Sequence, residues 1–230
     1  LPSVGPGNVL KDIIASDMFP HVRLSNIYRQ SDNSYIPVLA QEIKEVADYI
    51  DLENKKDDYN FLECDRKNIK LMLKNIVNRC IDKGMNEREM QILAPMYKGE
   101  NGIDNLNVIL QELFNPPTPN LNEVHIGSLI YRENDKVINL VNNIDQNIFN
   151  GDIGYIKSIN TNKSSEFMVI DYYGNLVTLK KDEVPTIKHA YAMSIHKSQG
   201  SEFNHVIIPM SKEYNRMLYN KLLYTGVSRA

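Results

Sequence analysis

Cysteine is scarce in this chain of 230 residues, and long apolar runs are missing from it. Cys64 and Cys80 are too few for a disulfide framework, and no further cysteine is available to complete a metal cluster. No apolar run approaches the roughly 20 residues of a membrane span, and no signal-peptide core follows the N-terminus. The composition therefore predicts a cytoplasmic protein and excludes a disulfide-stabilised secreted domain.

Two signatures of phosphate chemistry are also missing. None of the eleven glycines is followed by lysine, which excludes the Gly-Lys-Ser/Thr loop that cradles phosphates. The pair Asp182-Glu183 follows two lysines, not the apolar strand that precedes a Mg²⁺-binding acidic pair. The five histidines predict no metal site, and no acidic pair with a lysine indicates a nuclease. Alone, the chain is therefore not expected to hydrolyse ATP.

What is present fits a folded protein with one locally basic stretch. Hydrophobic residues make up 42% and charged residues 24%, and the net charge of −3 excludes a binder that relies on bulk positive charge. From position 188 onward the basic residues outnumber the acidic ones, with Lys188, Lys197, Lys212, Arg216, Lys221 and Arg229 against Glu202 and Glu213. Such a stretch suits phosphate contacts of a nucleic acid, although solvated lysines explain it equally well.

The first part of the chain alternates helical and extended patterns. Apolar residues at helical spacing predict helices over 8–16, 34–50, 69–80 and 103–114. Strands are predicted over 59–64 and 91–94. The order of strand, helix, strand and helix indicates a parallel sheet with crossover helices.

After the proline-rich break at 115–119 the pattern changes to short β-rich segments. They are predicted over 129–131, 136–141, 153–159, 166–171 and 176–179, separated by turn signals. Five strands in about fifty residues are typical of a small antiparallel barrel. The α/β pattern then returns, with strands over 190–194 and 205–209 and a helix from Tyr214. A β module of residues 127–186 is therefore predicted as an insertion into an α/β domain.

The densest polar group follows the strand predicted over 190–194. Within seven residues it brings together an imidazole, an ammonium, a hydroxyl, an amide and a carboxylate, from His196, Lys197, Ser198, Gln199 and Glu202. Parallel sheets place their ligand sites at such strand ends. Gly200 in the same turn lets the backbone approach a phosphate or ribose closely. By composition alone, a turn of this kind is as often structural as functional.

Six segments, in order along the chain, resemble conserved motifs of superfamily 1 helicases. They are 1–7 (LPSVGPG, end of motif III), 24–30 (LSNIYRQ, motif IV), 92–99 (ILAPMYKG, RecD-like branch), 149–154 (FNGDIG, start of that branch's barrel), 194–202 (SIHKSQGSE, motif V) and 224–230 (YTGVSRA, motif VI). The whole chain is therefore similar to the C-terminal half of a RecD-like DNA helicase, of the exodeoxyribonuclease V alpha-chain family.

The resemblance implies an α/β fold, a RecA-like parallel sheet with flanking helices that carries an inserted small SH3-like antiparallel β-barrel. It divides the chain into the end of a first RecA-like domain with a linker (1–22), the first part of a second RecA-like domain (23–126), the barrel (127–186) and the closing part of the second domain (187–230). Leu1 is not an initiator methionine, and no stop signal follows Ala230. We therefore expect a piece of a longer protein.

The resemblance also implies that ATP binds between two RecA-like domains, with Mg²⁺ held by an N-terminal domain outside this chain. Arg29 and Arg229 match the arginines that reach the phosphates, where a permanently charged guanidinium suits spread negative charge, and they are the predicted catalytic residues. Tyr28 matches a ring that stacks on adenine, with a core aromatic as the alternative. The remaining predicted ATP contacts are Gln199, Gly200 and Glu202.

Single-stranded DNA is the implied partner, together with the N-terminal RecA-like domain and further recombination subunits. Ser194, His196 and Lys197 match positions near the strand, although His196 also suits a purely structural role. Met96, Tyr97 and Lys98 follow a predicted strand end, where a ring can stack on a base.

The predicted function is the motor portion of an ATP-dependent DNA helicase or translocase in recombination or repair, and the family implies 5′-to-3′ movement. The alternative is a non-catalytic module whose barrel binds a protein or nucleic acid. That alternative predicts that Arg29 and Arg229 can be replaced without loss of function.

Overall fold

The computed structural model describes residues 7–22, 33–46, 50–162 and 165–230. Tyr28, Arg29 and positions 1–6 of the segment that resembles motif III lie outside these described residues. The helices are α1 Val9–Ala15, α2 Ile36–Glu45, α3 Ile69–Asp82, α4 Ile103–Phe114 and α5 Asn220–Val227. The strands are β1 Met90–Ala94, β2 Glu123–Ile126, β3 Leu129–Arg132, β4 Lys136–Asn139, β5 Ile153–Ile159, β6 Met168–Tyr172, β7 Asn175–Leu179, β8 Ile187–His189, β9 Ala192–Ser194 and β10 His205–Ile207.

A three-stranded parallel sheet in the order β10-β1-β9 forms the centre of the α/β part. All five residues of β1 are buried, because helices cover both faces of this sheet. One face packs against α3 and α4 through Val77 and Leu106, and the other against α5 through Leu222. Helix α2 adds a further layer on α5, where Leu39 and Ile43 pack near Val227.

The inserted part is a five-stranded antiparallel sheet in the order β7-β6-β5-β4-β8, with the hairpin β2-β3 beside it. Its own core includes Val137, Ile156 and Ile170. An added Cβ at Gly154 would lie 2.7 Å from side-chain atoms of Ile170 and Tyr172, so a larger residue does not fit without a shift of that core. The predicted antiparallel insertion in an α/β domain is confirmed.

The two parts share buried side chains. Ile138 of β4 and Ile153 of β5 pack in one cluster with Leu93, Met193 and Ile195 of the α/β part. The sheet of the insertion is closed by β8, which pairs antiparallel with β4 and leads directly to β9. The insertion is therefore packed on the parallel sheet as well as connected to it.

The prediction of a strand over 59–64 is wrong. The structure has no strand there, and Phe61 and Leu62 are exposed. Tyr59 instead directs its hydroxyl to the carbonyl of Leu52, at 2.9 Å. The predicted parallel sheet exists, but it does not include this segment. Its strands β1, β9 and β10 come from distant parts of the chain.

Several other predicted boundaries move as well, among them the ends of β4, β6 and β10. Helix α2 ends at Glu45, and Val46 follows it in the left-handed conformation with φ +54°. The strand predicted over 190–194 narrows to β9 at 192–194. The helix predicted from Tyr214 begins at Asn220, because a 3₁₀ segment over Lys212–Met217 precedes it and Asn215 there has a non-helical φ of +40°.

Candidate nucleic-acid and nucleotide site

Two neighbouring strands deliver the predicted site residues to one edge of the parallel sheet. Ala94, the last residue of β1, is in register with Ser194, the last residue of β9. The chain turns at 95–99 after the first strand and at 195–200 after the second. Both turns therefore lie at the carboxyl edge, where parallel sheets place ligand sites.

The turn after β1 is fixed to the start of α4. The carbonyls of Met96 and Tyr97 accept from the backbone N–H groups of Ile103, at 2.9 Å, and Asp104, at 3.1 Å. These bonds give partners to helix N-terminal donors that have none within the helix. Tyr97 is 36% exposed and lies at the surface.

The side chain of Lys98 points to a partner within the same turn. Its Nζ lies 2.8 Å from Asp104 Oδ2, and this hydrogen bond raises the pKa of the Lys98 ammonium. The ammonium is exposed, so the ion pair is weak and open to exchange with a phosphate.

The turn after β9 is held by its own hydroxyl groups. The hydroxyl of Ser194 accepts from Lys197 N at 3.2 Å, and the hydroxyl of Ser198 donates to Ile195 O at 2.8 Å. Gly200 ends the turn with φ +92°, a conformation that favours glycine, and open space lies in front of it. Ser194 is buried, so the structure places it within the turn and not on the surface.

Lys197 and Tyr97 belong to one cationic surface. Lys197 Nζ donates to Asn150 Oδ1 at 3.0 Å, and Lys188 Nζ lies 5.5 Å from the centre of the Tyr97 ring. Burial lowers the pKa of Lys197, and the nearby Lys188 ammonium lowers it further. We call Tyr97, Asn150, Lys188 and Lys197 the edge surface.

The sequence did not predict that Asn150 and Lys188 belong to this surface. Lys188 was counted only as part of the basic stretch, and Asn150 lies in the segment 149–154 that resembles the start of a RecD-like barrel. Both come from the inserted part, whereas Tyr97 and Lys197 come from the α/β part. Their approach depends on how the two parts pack, which no local pattern encodes.

His196 faces a different neighbour. Its Nε2 lies 3.2 Å from the hydroxyl of Tyr219, the residue just before α5. Tyr219 also lines a cleft of about 340 Å³ together with Leu218 and Leu223. The structure therefore places His196 between the turn after β9 and α5.

Arg229 is brought to the same turn from the end of the chain. Its guanidinium donates to the carbonyls of Ser201, at 3.2 Å, and Thr225, at 3.2 Å, and to the hydroxyl of Ser228, at 3.0 Å. The Arg229 carbonyl accepts from Phe203 N at 2.9 Å. With 4% exposure the side chain is held inside, beside the predicted nucleotide contacts Gln199, Gly200 and Glu202.

Among the described residues, no three His, Cys, Asp or Glu side chains lie together in an arrangement that could hold a metal ion. In the same part of the chain, no helix combines the length and the apolar character that spanning a membrane requires.

Two protein-family models match the chain. Residues 106–172 match the ATP-dependent RecD-like DNA helicase SH3 domain, and residues 189–230 match the UvrD-like helicase C-terminal domain. The first match includes β4, β5 and β6 of the insertion, and the second includes both the turn after β9 and Arg229. The models therefore fall on the two parts that form the edge surface.

Two named relatives are similar to part of the chain. The chain is 34% identical over 141 residues to the ATP-dependent RecD2 DNA helicase of Deinococcus radiodurans, which covers 61% of this chain and 19% of that protein. It is 31% identical over 146 residues to the RecBCD enzyme subunit RecD of Haemophilus influenzae, covering 61% and 20%. The chain thus spans about a fifth of the length of these relatives.

Solved structures with this fold include a Pif1 helicase from Bacteroides in complex with ADP-AlF3 and single-stranded DNA. That chain aligns with a TM-score of 0.52 at 17% identity, over 91% of this chain and 49% of the other. A second structure, of two Pif1 helicases at forked double-stranded DNA, aligns with a TM-score of 0.51 at 14% identity, over 98% and 55%. At these identities the likeness shows the fold, a RecA-like α/β domain. The chain therefore contains one region similar to the SH3 domain of RecD-like DNA helicases and one similar to the C-terminal domain of UvrD-like helicases.

Proposed function

We propose that this chain is the C-terminal motor portion of an ATP-dependent DNA helicase that moves along single-stranded DNA. One observation carries the proposal: the turn at 195–202 contributes Lys197 to the edge surface and Ser201 to the hydrogen bond with Arg229. A motor needs its nucleotide site and its track to be mechanically linked. Here a single turn connects the residues proposed for both.

The proposed track is the edge surface with its neighbours. The Tyr97 ring offers a face on which a base can stack, a contact worth about 1–3 kcal/mol in single-strand binding proteins. Lys188 and Lys197 supply positive charge beside that ring, as phosphates require. Met96, Lys98, Ser194 and His196 complete the proposed DNA-binding set, of which Ser194 acts by shaping the turn.

The proposed nucleotide site is completed by an N-terminal RecA-like domain of a longer protein, which would supply the phosphate loop and the Mg²⁺ ligands. When bound, ATP supplies the phosphoryl group whose transfer drives movement. The open space in front of Gly200 fits the close approach of a ribose or phosphate. Tyr28, Gln199 and Glu202 are the further proposed nucleotide contacts.

The two proposed catalytic residues are Arg29 and Arg229, each placing a guanidinium against the phosphates. An arginine in this role is worth about 10³–10⁵ in rate. Because Arg229 is now bonded to Ser201 and Ser228, closure of the two domains must open at least one of these contacts. That exchange would transmit closure directly to the turn that carries Lys197.

The remaining assignments belong to the same proposal. We propose the division into 1–22, 23–126, 127–186 and 187–230, where β8 at 187–189 also completes the sheet of the insertion. We further propose a cytoplasmic role in recombination or repair, 5′-to-3′ movement, and other recombination subunits as further partners. The proposal of further subunits is supported by the name of one relative, a RecBCD enzyme subunit. The other assignments rest on the resemblance of the sequence motifs to RecD-like helicases.

ATP hydrolysis by the longer protein tests the motor proposal, measured with and without single-stranded DNA. Arg229→Ala should lower the DNA-stimulated rate by about 10³-fold or more. The exposed Arg79 of α3 provides the matched control, and Arg79→Ala should retain the wild-type rate.

Thermal unfolding of each variant separates loss of catalysis from loss of folding, and Arg229→Lys provides a second variant that keeps the charge. DNA stimulation that survives Arg229→Ala in a folded protein would remove Arg229 from the mechanism. Absence of DNA stimulation in the wild type would instead support the non-catalytic binding module.

A further inference from the structure

A buried carboxylate lies where the insertion meets α4. Asp135, in the turn between β3 and β4, has no exposed surface. Its Oδ2 accepts from Gln111 Nε2 at 2.6 Å and from Arg132 N at 2.7 Å. Its Oδ1 accepts from Asn115 Nδ2 at 2.8 Å and from the Tyr191 hydroxyl at 3.0 Å.

A fifth contact comes from β8. His189 Nε2 lies 3.2 Å from Asp135 Oδ2. Of these five partners only Arg132 N belongs to the turn of Asp135 itself, and the others come from α4 and the residue that caps its end, from β8 and from the link to β9. A carboxylate that merely closed its own turn would need one donor. The burial of this charge is offset by groups that span both parts of the molecule.

One residue that Asp135 contacts, His189, directly follows a member of the edge surface, Lys188. Along β8, Ile187 and His189 are buried while Lys188 between them is exposed, as the alternation of a strand requires. His189 is further held by stacking on Tyr131, with ring centres 4.7 Å apart. Fixing His189 and Tyr191 therefore fixes the direction in which Lys188 leaves the strand.

The other side of the edge surface is tied to the same carboxylate through α4. Gln111 and Asn115, near the end of the helix, contact Asp135, while the carbonyl of Tyr97 accepts from Asp104 N at the beginning. Asn107, between them, pairs with both backbone groups of Ala192 in β9, at 2.8 and 2.9 Å. One rigid helix thus relates the Tyr97 turn, β9 and the insertion.

We infer that Asp135 is a positioning residue for DNA binding: it sets Lys188 of the insertion against Tyr97 of the α/β part. This rests on the proposed function, because it assumes that the edge surface is the DNA track. Asp135 touches no DNA. It acts through His189 and Tyr191 on one side and α4 on the other.

A double-mutant cycle on the longer protein tests the inference, with a fluorescent oligo(dT) titrated at several salt concentrations. Lys188→Ala should weaken binding about fivefold at low salt and lower the slope of log K against log [salt] by about 0.7, the value for one phosphate contact. Asp135→Asn places an amide N–H₂ among donors and should produce a similar weakening and a similar loss of slope. The double variant should bind no more weakly than Lys188→Ala, because both changes remove the same contact.

Tyr191→Phe keeps the ring and removes one donor to Asp135. It provides a second, milder test of the inference if Asp135→Asn does not fold. It should weaken binding about twofold. The matched control is Tyr172→Phe in the insertion, whose hydroxyl is buried with no hydrogen-bond partner among the described residues. This control should bind DNA as the wild type does, and thermal unfolding of all variants reports their folding.

Two results would overturn the inference in distinguishable ways. Weakening by Lys188→Ala without any effect of Asp135→Asn or Tyr191→Phe, or with fully additive effects, would leave the edge surface as the track and remove Asp135 from its positioning. No effect of Lys188→Ala would place the track away from the edge surface and overturn the inference, while DNA-stimulated ATP hydrolysis decides the motor proposal separately.

Discussion

Asp135 and Lys136 are adjacent, charged and buried, and they are stabilised in opposite ways. The carboxylate collects donors from three elements, whereas Lys136 Nζ donates to the backbone carbonyls of Glu87, at 2.7 Å, and Met90, at 3.1 Å. Burial lowers the pKa of Lys136 to about 8. The charged ammonium is therefore less favourable in the folded chain than in the unfolded one.

This depressed pKa predicts a pH-dependent stability. Between pH 8 and the ordinary value of 10.5, the unfolded chain holds the Lys136 proton while the folded chain has released it. The free energy of unfolding should therefore rise with pH in this window, by about 3 kcal/mol in all. Urea unfolding at pH 7.5 and 9.5 measures the rise, which Lys136→Met should abolish.

Lys157 on the neighbouring strand β5 is exposed and provides the control for that experiment. Lys157→Met should keep the rise. An equal rise in Lys136→Met would assign it to another group.

Sequence patterns singled out some of the residues discussed above and missed others. Lys197 and Arg229 were predicted as site residues because their local runs resemble helicase motifs, and the structure brings both to one turn, while their roles stay predictions. Asp135 and Lys136 were not found, because a charged residue beside a short strand normally indicates solvent exposure. Only the packing of one part on the other makes these positions buried.

Among the elements, α4 and its preceding turn form the clearest unit. Gly102 lies where the turn folds back, and an added Cβ there would be 2.5 Å from the carbonyl oxygens of Tyr97 and Lys98. Backbone atoms cannot move aside as a flexible side chain can. The geometry of the Tyr97 turn therefore depends on glycine at this position.

Gly102→Ala should displace the turn, lower the free energy of unfolding by about 1–3 kcal/mol and weaken single-stranded DNA binding. Val108→Ala on the exposed face of the same helix is the control, and it should leave DNA binding unchanged. Urea unfolding and oligo(dT) titration measure the two effects. Unchanged DNA affinity in Gly102→Ala would show that the turn does not contact the strand.

Elements with a strong signal of their own were predicted closely. The helix at 103–114 has one apolar face and a proline-rich stop, and β5 has turn signals on both sides, so both match the predicted bounds. The segment 59–64 has the composition of a strand, but it pairs with no other strand in the described residues. A strand requires a partner, and partners lie far away in the chain.

At the scale of the whole molecule, the insertion and the α/β part share a core. The change of pattern after position 119 predicted an insertion, but nothing in the pattern showed that Ile138 and Ile153 pack against Leu93 and Met193. Because of this contact, we expect the two parts to unfold together.

Ile138→Ala should therefore separate the unfolding of the two parts as well as lower the free energy of unfolding by about 2–5 kcal/mol. Ile156, equally buried but within the core of the insertion, is the matched control. Ile156→Ala should destabilise similarly and keep one transition. Hydrogen exchange of β9 and β6 peptides during urea unfolding measures the coupling, and a single transition in Ile138→Ala would contradict the shared-core argument.

The pairing of β4 with β8 has a consequence for how such proteins diversify. The insertion begins its sheet and returns from it on adjacent strands, so its tip can lengthen or be replaced without disturbing the host. Its base cannot be replaced so freely, because Asp135 is matched to Gln111 and Asn115 before it and to His189 and Tyr191 after it. A barrel grafted from another helicase should function only if these five positions are transferred together, and homologous sequences should change at them in concert.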